Sequence, residues 1–130
     1  MDKLVKKYGE DMNITDIAFE IQKKIKEIDN IRKEVRERGE AKAASIGEYE
    51  KALAVVIIAL KNGTSFELNN EKIINPQATY LKDIAKGLCF LQKIKMETAE
   101  AMYKSVLVNL EAAQSQLNAL QSLFRHLDSV

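Results

Sequence analysis

The chain has no tryptophan, one proline, one cysteine, one histidine and five glycines in 130 residues. A single cysteine, Cys89, cannot close an intramolecular disulfide or build a multi-cysteine metal site within one chain. So few helix breakers beside 46% apolar residues exclude collagenous, disordered and repeat-rich β chains, and they favour long helices. An excess of one charge is also missing. Twenty basic and nineteen acidic side chains leave +1, so the totals show neither a nucleic-acid-binding surplus nor an acidic mimic. The longest apolar run, Ala52 to Leu60, falls far short of the roughly 18 residues of a membrane span and suits a helix segment buried on several sides. The basic start, Met1 to Tyr8, is not followed by an apolar signal core. These limits describe one helical domain over residues 1–130, cytoplasmic and without a membrane segment, burying roughly two-thirds of its unfolded surface.

What the chain does have is heptad spacing. Ile14, Ile21, Ile28 and Val35 are seven apart, with Ile17, Ile25 and Ile31 between them and charged residues filling the remaining face. A second seam runs through Ile46, Tyr49, Leu53, Val56 and Leu60. The eleven-residue step from Val35 to Ile46 is a stutter that lets one helix continue while its supercoil unwinds. The spacing predicts a helix over about 13–61. Asn13 and Asp16 form a capping box at its start, Gly63 ends it, and Gly39 and Gly47 leave open a kink or interruption near 39–47.

Residues 64–75 read as a loop or a small hairpin, since Phe66 and Leu68 alternate with Glu67 and Asn69-Asn70 can turn. Asn75-Pro76 predicts an N-cap and first helical residue, opening a short helix over 76–86 that Gly87 ends or bends. The last helix, 88–128, has the clearest pattern. Met96, Tyr103, Leu110, Leu117 and Phe124 are seven apart, and Ala99, Val106, Ala113, Leu120 and Leu127 each follow by three. The expected fold is all-α: an antiparallel, coiled-coil-like hairpin of two long helices with a short third helix, assembled into a helical-bundle oligomer.

Catalytic constellations are hard to find. His126 lies in the last turn of the last helix, where a cation complements the helix dipole, and Cys89 reads as a small buried hydrophobe. No nucleophile–base pair, metal-ligand cluster or phosphate-cradling loop stands out, so no enzyme, metal or cofactor is expected. From Met1 to Ser45 eleven bases alternate with ten acids, a soluble exterior and not a phosphate-tracking stripe.

Two features point to binding. From Ser105 to Phe124 Glu111 is the only charge, and neutral amides and hydroxyls are covered at lower cost than lysine or glutamate. Tyr103, Val106, Leu110, Leu117, Leu120 and Phe124 are therefore the expected oligomer interface. Tyr80, Lys82 and Lys86 combine an aromatic face and two cations near a helix start, and are the expected binding residues, taking a partner protein or a nucleotide-like anionic ligand.

Glu48-Tyr49-Glu50-Lys51-Ala52-Leu53, Ile84-Ala85-Lys86-Gly87, Ala99-Glu100-x-x-Tyr103-Lys104 and Gln121-Ser122-x-x-Arg125 together resemble small helical early-region proteins of tailed phages and prophages of Gram-positive bacteria, over about residues 45–126. The resemblance supplies no site residues. It implies a context of replication, recombination or counter-defence inside a bacterial host cell. The expected function is stoichiometric binding of a host or phage protein, such as inhibition of a host defence protein or service as a replication or recombination accessory. The alternative is an oligomeric sponge for a nucleotide-like anion.

Overall fold

The computed structural model describes residues 13–129, and is 81% helical with two long helices packed against each other. Element order is α1 (Ile14–Lys61), β1 (Phe66–Leu68), β2 (Glu71–Ile73), α2 (Leu81–Leu88) and α3 (Phe90–Asp128). The chain falls into two compact units. Among the described residues, one joins 13–36 with 104–129, and the other is Glu37–Tyr103.

α1 starts and stops where its caps dictate. The Asp16 amide donates to Asn13 Oδ1 at 2.9 Å and the Asn13 amide to Asp16 Oδ2 at 3.3 Å, a reciprocal box that satisfies two otherwise orphaned donors. At the other end Gly63 takes φ +84°, the Thr64 amide reaches the Ala59 carbonyl at 3.0 Å and the Gly63 amide the Leu60 carbonyl at 3.2 Å, a Schellman closure. Between these caps the helix is unbroken, so the interruption left open near 39–47 does not form.

In the first unit Ile17 and Ile28 of α1 and Val106, Ala113 and Leu120 of α3 are buried. Lys24, read from sequence as part of the solvated face, is half-buried there, and its Nζ donates to Glu27 Oε2 at 2.8 Å and to Gln116 Oε1 of α3 at 2.7 Å. In the second unit the core is Ser45, Tyr49, Leu60, Ala85 and Cys89. Its α1 seam is partly polar. Ser45 is buried because its hydroxyl donates to the Lys42 carbonyl at 2.8 Å, and Lys42 Nζ stands 5.1 Å from the centre of the Tyr103 ring.

The segment after α1 is a hairpin. β1 and β2 pair antiparallel, Phe66 opposite Ile73 and Leu68 opposite Glu71, around Asn69 and Asn70, both at positive φ as a two-residue turn requires. The expected helix start at Pro76 is not found. Asn75 sits at φ +47°, because a residue before proline is pushed out of the helical region and asparagine tolerates the left-handed one. Its Oδ1 lies 3.6 Å from where a β-carbon of Gly63 would be, which draws the hairpin exit back to the end of α1. Residues 78–80 form a turn, with the Tyr80 amide on the Gln77 carbonyl at 3.0 Å, and α2 begins only at Leu81.

Gly87, expected to end or bend this helix, is its last residue but one, and its missing side chain admits Leu68 of β1, whose Cδ2 is 3.4 Å from the absent β-carbon. The break comes at Cys89, with φ −100° and ψ 24°, and α3 follows at once. Cys89 closes one helix and opens the next: its amide donates to the Ala85 carbonyl at 3.0 Å and its carbonyl accepts from the Lys93 amide at 3.1 Å.

Candidate interaction surface at the α2–α3 junction

On α2 Ala85 is buried and Leu81, Ile84 and Leu88 are half-buried around it, while Lys82, Asp83 and Lys86 are exposed. Tyr80, at the N-cap, makes no side-chain cap bond and is 58% exposed. Tyr80, Lys82 and Lys86 are thus all exposed, Tyr80 just before α2 and the two lysines on its outer face.

The residues that follow were missed from sequence. Every residue from Phe90 to Lys95 is exposed, including Phe90 at 53%, Leu91 at 65% and Ile94 at 54%. Heptad arithmetic contains the signal: stepping back seven from Met96 and Ala99 reaches Cys89 and Gln92, so these three apolar residues stand off the seam. Phe90 and Ile94 are four apart on one face of α3, with Lys93 three beyond Phe90, while Lys82 and Lys86 are four apart on the exposed face of α2, on the other side of the break at Cys89. Among the described residues no carboxylate pairs with Lys82, Lys86 or Lys93, whereas Lys95 donates to Glu48 Oε2 at 3.0 Å.

A second exposed apolar group belongs to α1. The Ala52–Leu60 run, expected to be buried on several sides, buries Leu60 but leaves Val55 and Ile58 more than half exposed, because they too stand off the seam. Neighbouring hydrophobic positions of this kind are a mark of docking surfaces when they cluster.

Of the residues assigned to an oligomer interface, Val106 and Leu120 are buried within the chain's own core, so their apolar surface is already used. Tyr103, Leu110, Leu117 and Phe124 remain partly exposed. Cys89 is buried, and desolvation raises its thiol pKa above the ordinary value, the opposite of what an activated nucleophile needs. His126 is exposed. Among the described residues no three histidine, cysteine, aspartate or glutamate side chains gather as a metal site, and no helix is long and apolar enough to cross a membrane. No protein-family model, curated protein or solved structure matches this chain.

Proposed function

We propose that the protein is a non-enzymatic helical interaction protein that acts by stoichiometric binding. The observation that carries this reading is the exposure of Phe90, Leu91 and Ile94 next to Lys82, Lys86 and Lys93. Three large apolar side chains in water at one helix start are an unfavourable arrangement for a chain that works alone. The resemblance to phage early-region proteins puts a host defence protein, or a replication or recombination factor, in the partner's place. A sponge for a nucleotide-like anion is the weaker reading, because pockets for small ligands enclose most of the ligand and Tyr80, Lys82 and Lys86 lie open.

Self-association belongs to the same proposal. Its support is the charge-poor stretch of α3, where Ser105, Val108, Ala112, Ser115, Ala119 and Ser122 are exposed at alternating three- and four-residue steps and allow close approach of another helix. Ala112→Lys with Ala119→Lys should lower the sedimenting mass and leave helicity unchanged, and a monomer at micromolar concentration for the unmodified protein removes this part.

Capture from a bacterial lysate, with mass spectrometry of both proteins and small molecules, tests the main reading. The expected result is one protein whose purified form saturates at a fixed molar ratio, with any inhibition of it complete at equivalence. Recovery of a small anion alone supports the sponge. Complete inhibition by a hundredfold substoichiometric amount overturns both.

A further inference from the structure

We infer that the α2–α3 junction docks an amphipathic helix of a partner protein whose apolar stripe is flanked by carboxylates. The inference rests on the interaction-protein reading and names the surface and the partner's chemistry. The surface has two chemical components. On α3 Phe90 and Ile94, with Leu91 beside them, give an apolar strip at helical spacing with Lys93 on the same helix, and Lys82 and Lys86 are exposed on the adjoining α2; none of the three lysines has an ion-pair partner among the described residues. Between Tyr80 and Lys95 there are four lysines and one aspartate, and the fourth lysine, Lys95, is already held by Glu48. Exposed apolar residues at three- and four-residue spacing on α3 suit a docked helix presenting residues at i, i+3/i+4 and i+7.

Charge selects the occupant. A second copy meeting this surface about a two-fold axis would set the same three lysines against one another, so an isologous contact here is repulsive. An anionic bilayer fits less well than a helix. Asp83 stands among the lysines, and the exposed Glu67 and Glu71 lie on the hairpin that Leu68 anchors against Gly87. Such interspersed acids repel a uniformly negative surface, whereas carboxylates at fixed helical positions can pair with individual lysines and avoid them.

The test uses the full chain and a fluorescently labelled 18-residue helical peptide with leucines at i, i+3, i+4 and i+7 and glutamates on both flanks. A second peptide carries lysines in place of those glutamates. Anisotropy at about 50 mM salt should show saturable binding of the acidic peptide, weaker by at least about tenfold for the lysine-flanked one and weakened further by added salt. The triple variant Lys82→Glu, Lys86→Glu, Lys93→Glu should reverse the preference, binding the lysine-flanked peptide instead. Phe90→Ser with Ile94→Ser should abolish both, with helicity unchanged by circular dichroism. The reversal of preference guards against mere unfolding, since an unfolded variant gains no partner. Equal affinity for both peptides, no binding of either, or a preference that survives the triple variant overturns the inference. Binding to vesicles of 3:1 phosphatidylcholine to phosphatidylserine without peptide binding overturns it in favour of a membrane surface. A dimer of the unmodified chain that dissociates in the Phe90→Ser, Ile94→Ser variant overturns it in favour of a second copy. If a partner captured from lysate binds the triple variant and the double serine variant as tightly as the unmodified chain, this surface falls while the interaction-protein reading stands.

Discussion

The edge of the Tyr103 ring lies 3.4 Å from the point where a β-carbon on Gly39 would stand. With no side chain at position 39, the ring edge comes close to α1 there, Lys42 Nζ stands over the ring 5.1 Å from its centre, and the adjacent residues Arg38 and Met102 meet with Nη1 3.8 Å from Sδ. A β-carbon at that distance makes ordinary contact and does not clash. A mid-helix glycine costs about 1 kcal/mol relative to alanine, so Gly39→Ala should stabilise by somewhat less than that and Gly47→Ala, with nothing within 4 Å, by about the full amount. Gly39→Leu should instead displace Tyr103 and destabilise. Urea midpoints in which Gly39→Ala is strongly destabilising would show that the ring needs bare backbone.

Leu60 and Ile58 are two residues apart in one helix, yet Leu60 is buried and Ile58 is more than half exposed. Leu60→Ala should cost about 2–5 kcal/mol through lost burial and a residual cavity. Ile58→Ala should stay within about 0.5 kcal/mol, because alanine's helix propensity offsets the small loss of contact. Comparable losses for both would mean that a further surface covers Ile58.

Asn70 has φ +64° in the hairpin turn. Asn70→Gly should leave the hairpin intact or tighten it, while Asn70→Val should cost about 1–2 kcal/mol by forcing a β-branched residue into the left-handed region. The strands are three residues each, so the effect is local. Amide exchange of the hairpin should accelerate in Asn70→Val with the exchange of α1 unchanged, and unaltered hairpin exchange would contradict the turn geometry.

Burial raises the Cys89 thiol pKa, so the folded chain holds its proton at pH values where the unfolded chain releases it. The resulting contribution is fully present below the unfolded thiol pKa, near 8.5, and is lost as pH rises through the higher folded value. Between about pH 8 and pH 10 the melting temperature of the unmodified protein should therefore fall more than that of Cys89→Ala. Iodoacetamide should alkylate the native thiol far more slowly than the urea-unfolded one. Parallel pH slopes, or equal alkylation rates, would place Cys89 in contact with water.

The long helices were legible because their signals are local and repeated: heptads, the Asn13–Asp16 box and Gly63 each specify backbone within a few residues. The start of α2 was not, since Asn75-Pro76 carries the composition of a helix cap, yet Asn75 takes a positive φ beside the end of α1 and the helix begins only at Leu81. Gly87 reads as a terminator until Leu68 is seen to occupy the space above it. Within the candidate surface, Tyr80, Lys82 and Lys86 were legible as exposed chemistry. Phe90, Leu91 and Ile94 were not, because hydrophobicity alone assigns such residues to a core and only their phase relative to Met96 and Ala99 reveals that no neighbouring helix meets them. Val106 and Leu120 were read in the right phase, on the seam with Ala113, but that seam is buried within the chain and not only between copies.

The cross-helix pairs also imply an order of assembly. Glu48 meets Lys95 across 47 residues of sequence, Arg38 meets Met102 across 64, and Lys24 meets Gln116 across 92. Loop closure costs about 0.6 kcal/mol for each doubling of the intervening chain, so the outermost pair is dearer than the innermost by roughly that amount when each forms alone. Once Glu48 and Lys95 are joined, every later pair closes only the short remaining segments, and that difference disappears. Mutations near Glu48 and Lys95 should accordingly slow folding, while those near Lys24 and Gln116 should mainly quicken unfolding. The β-hairpin and α2, enclosed by the first of these closures, thereby become the seed from which the two long helices zip together.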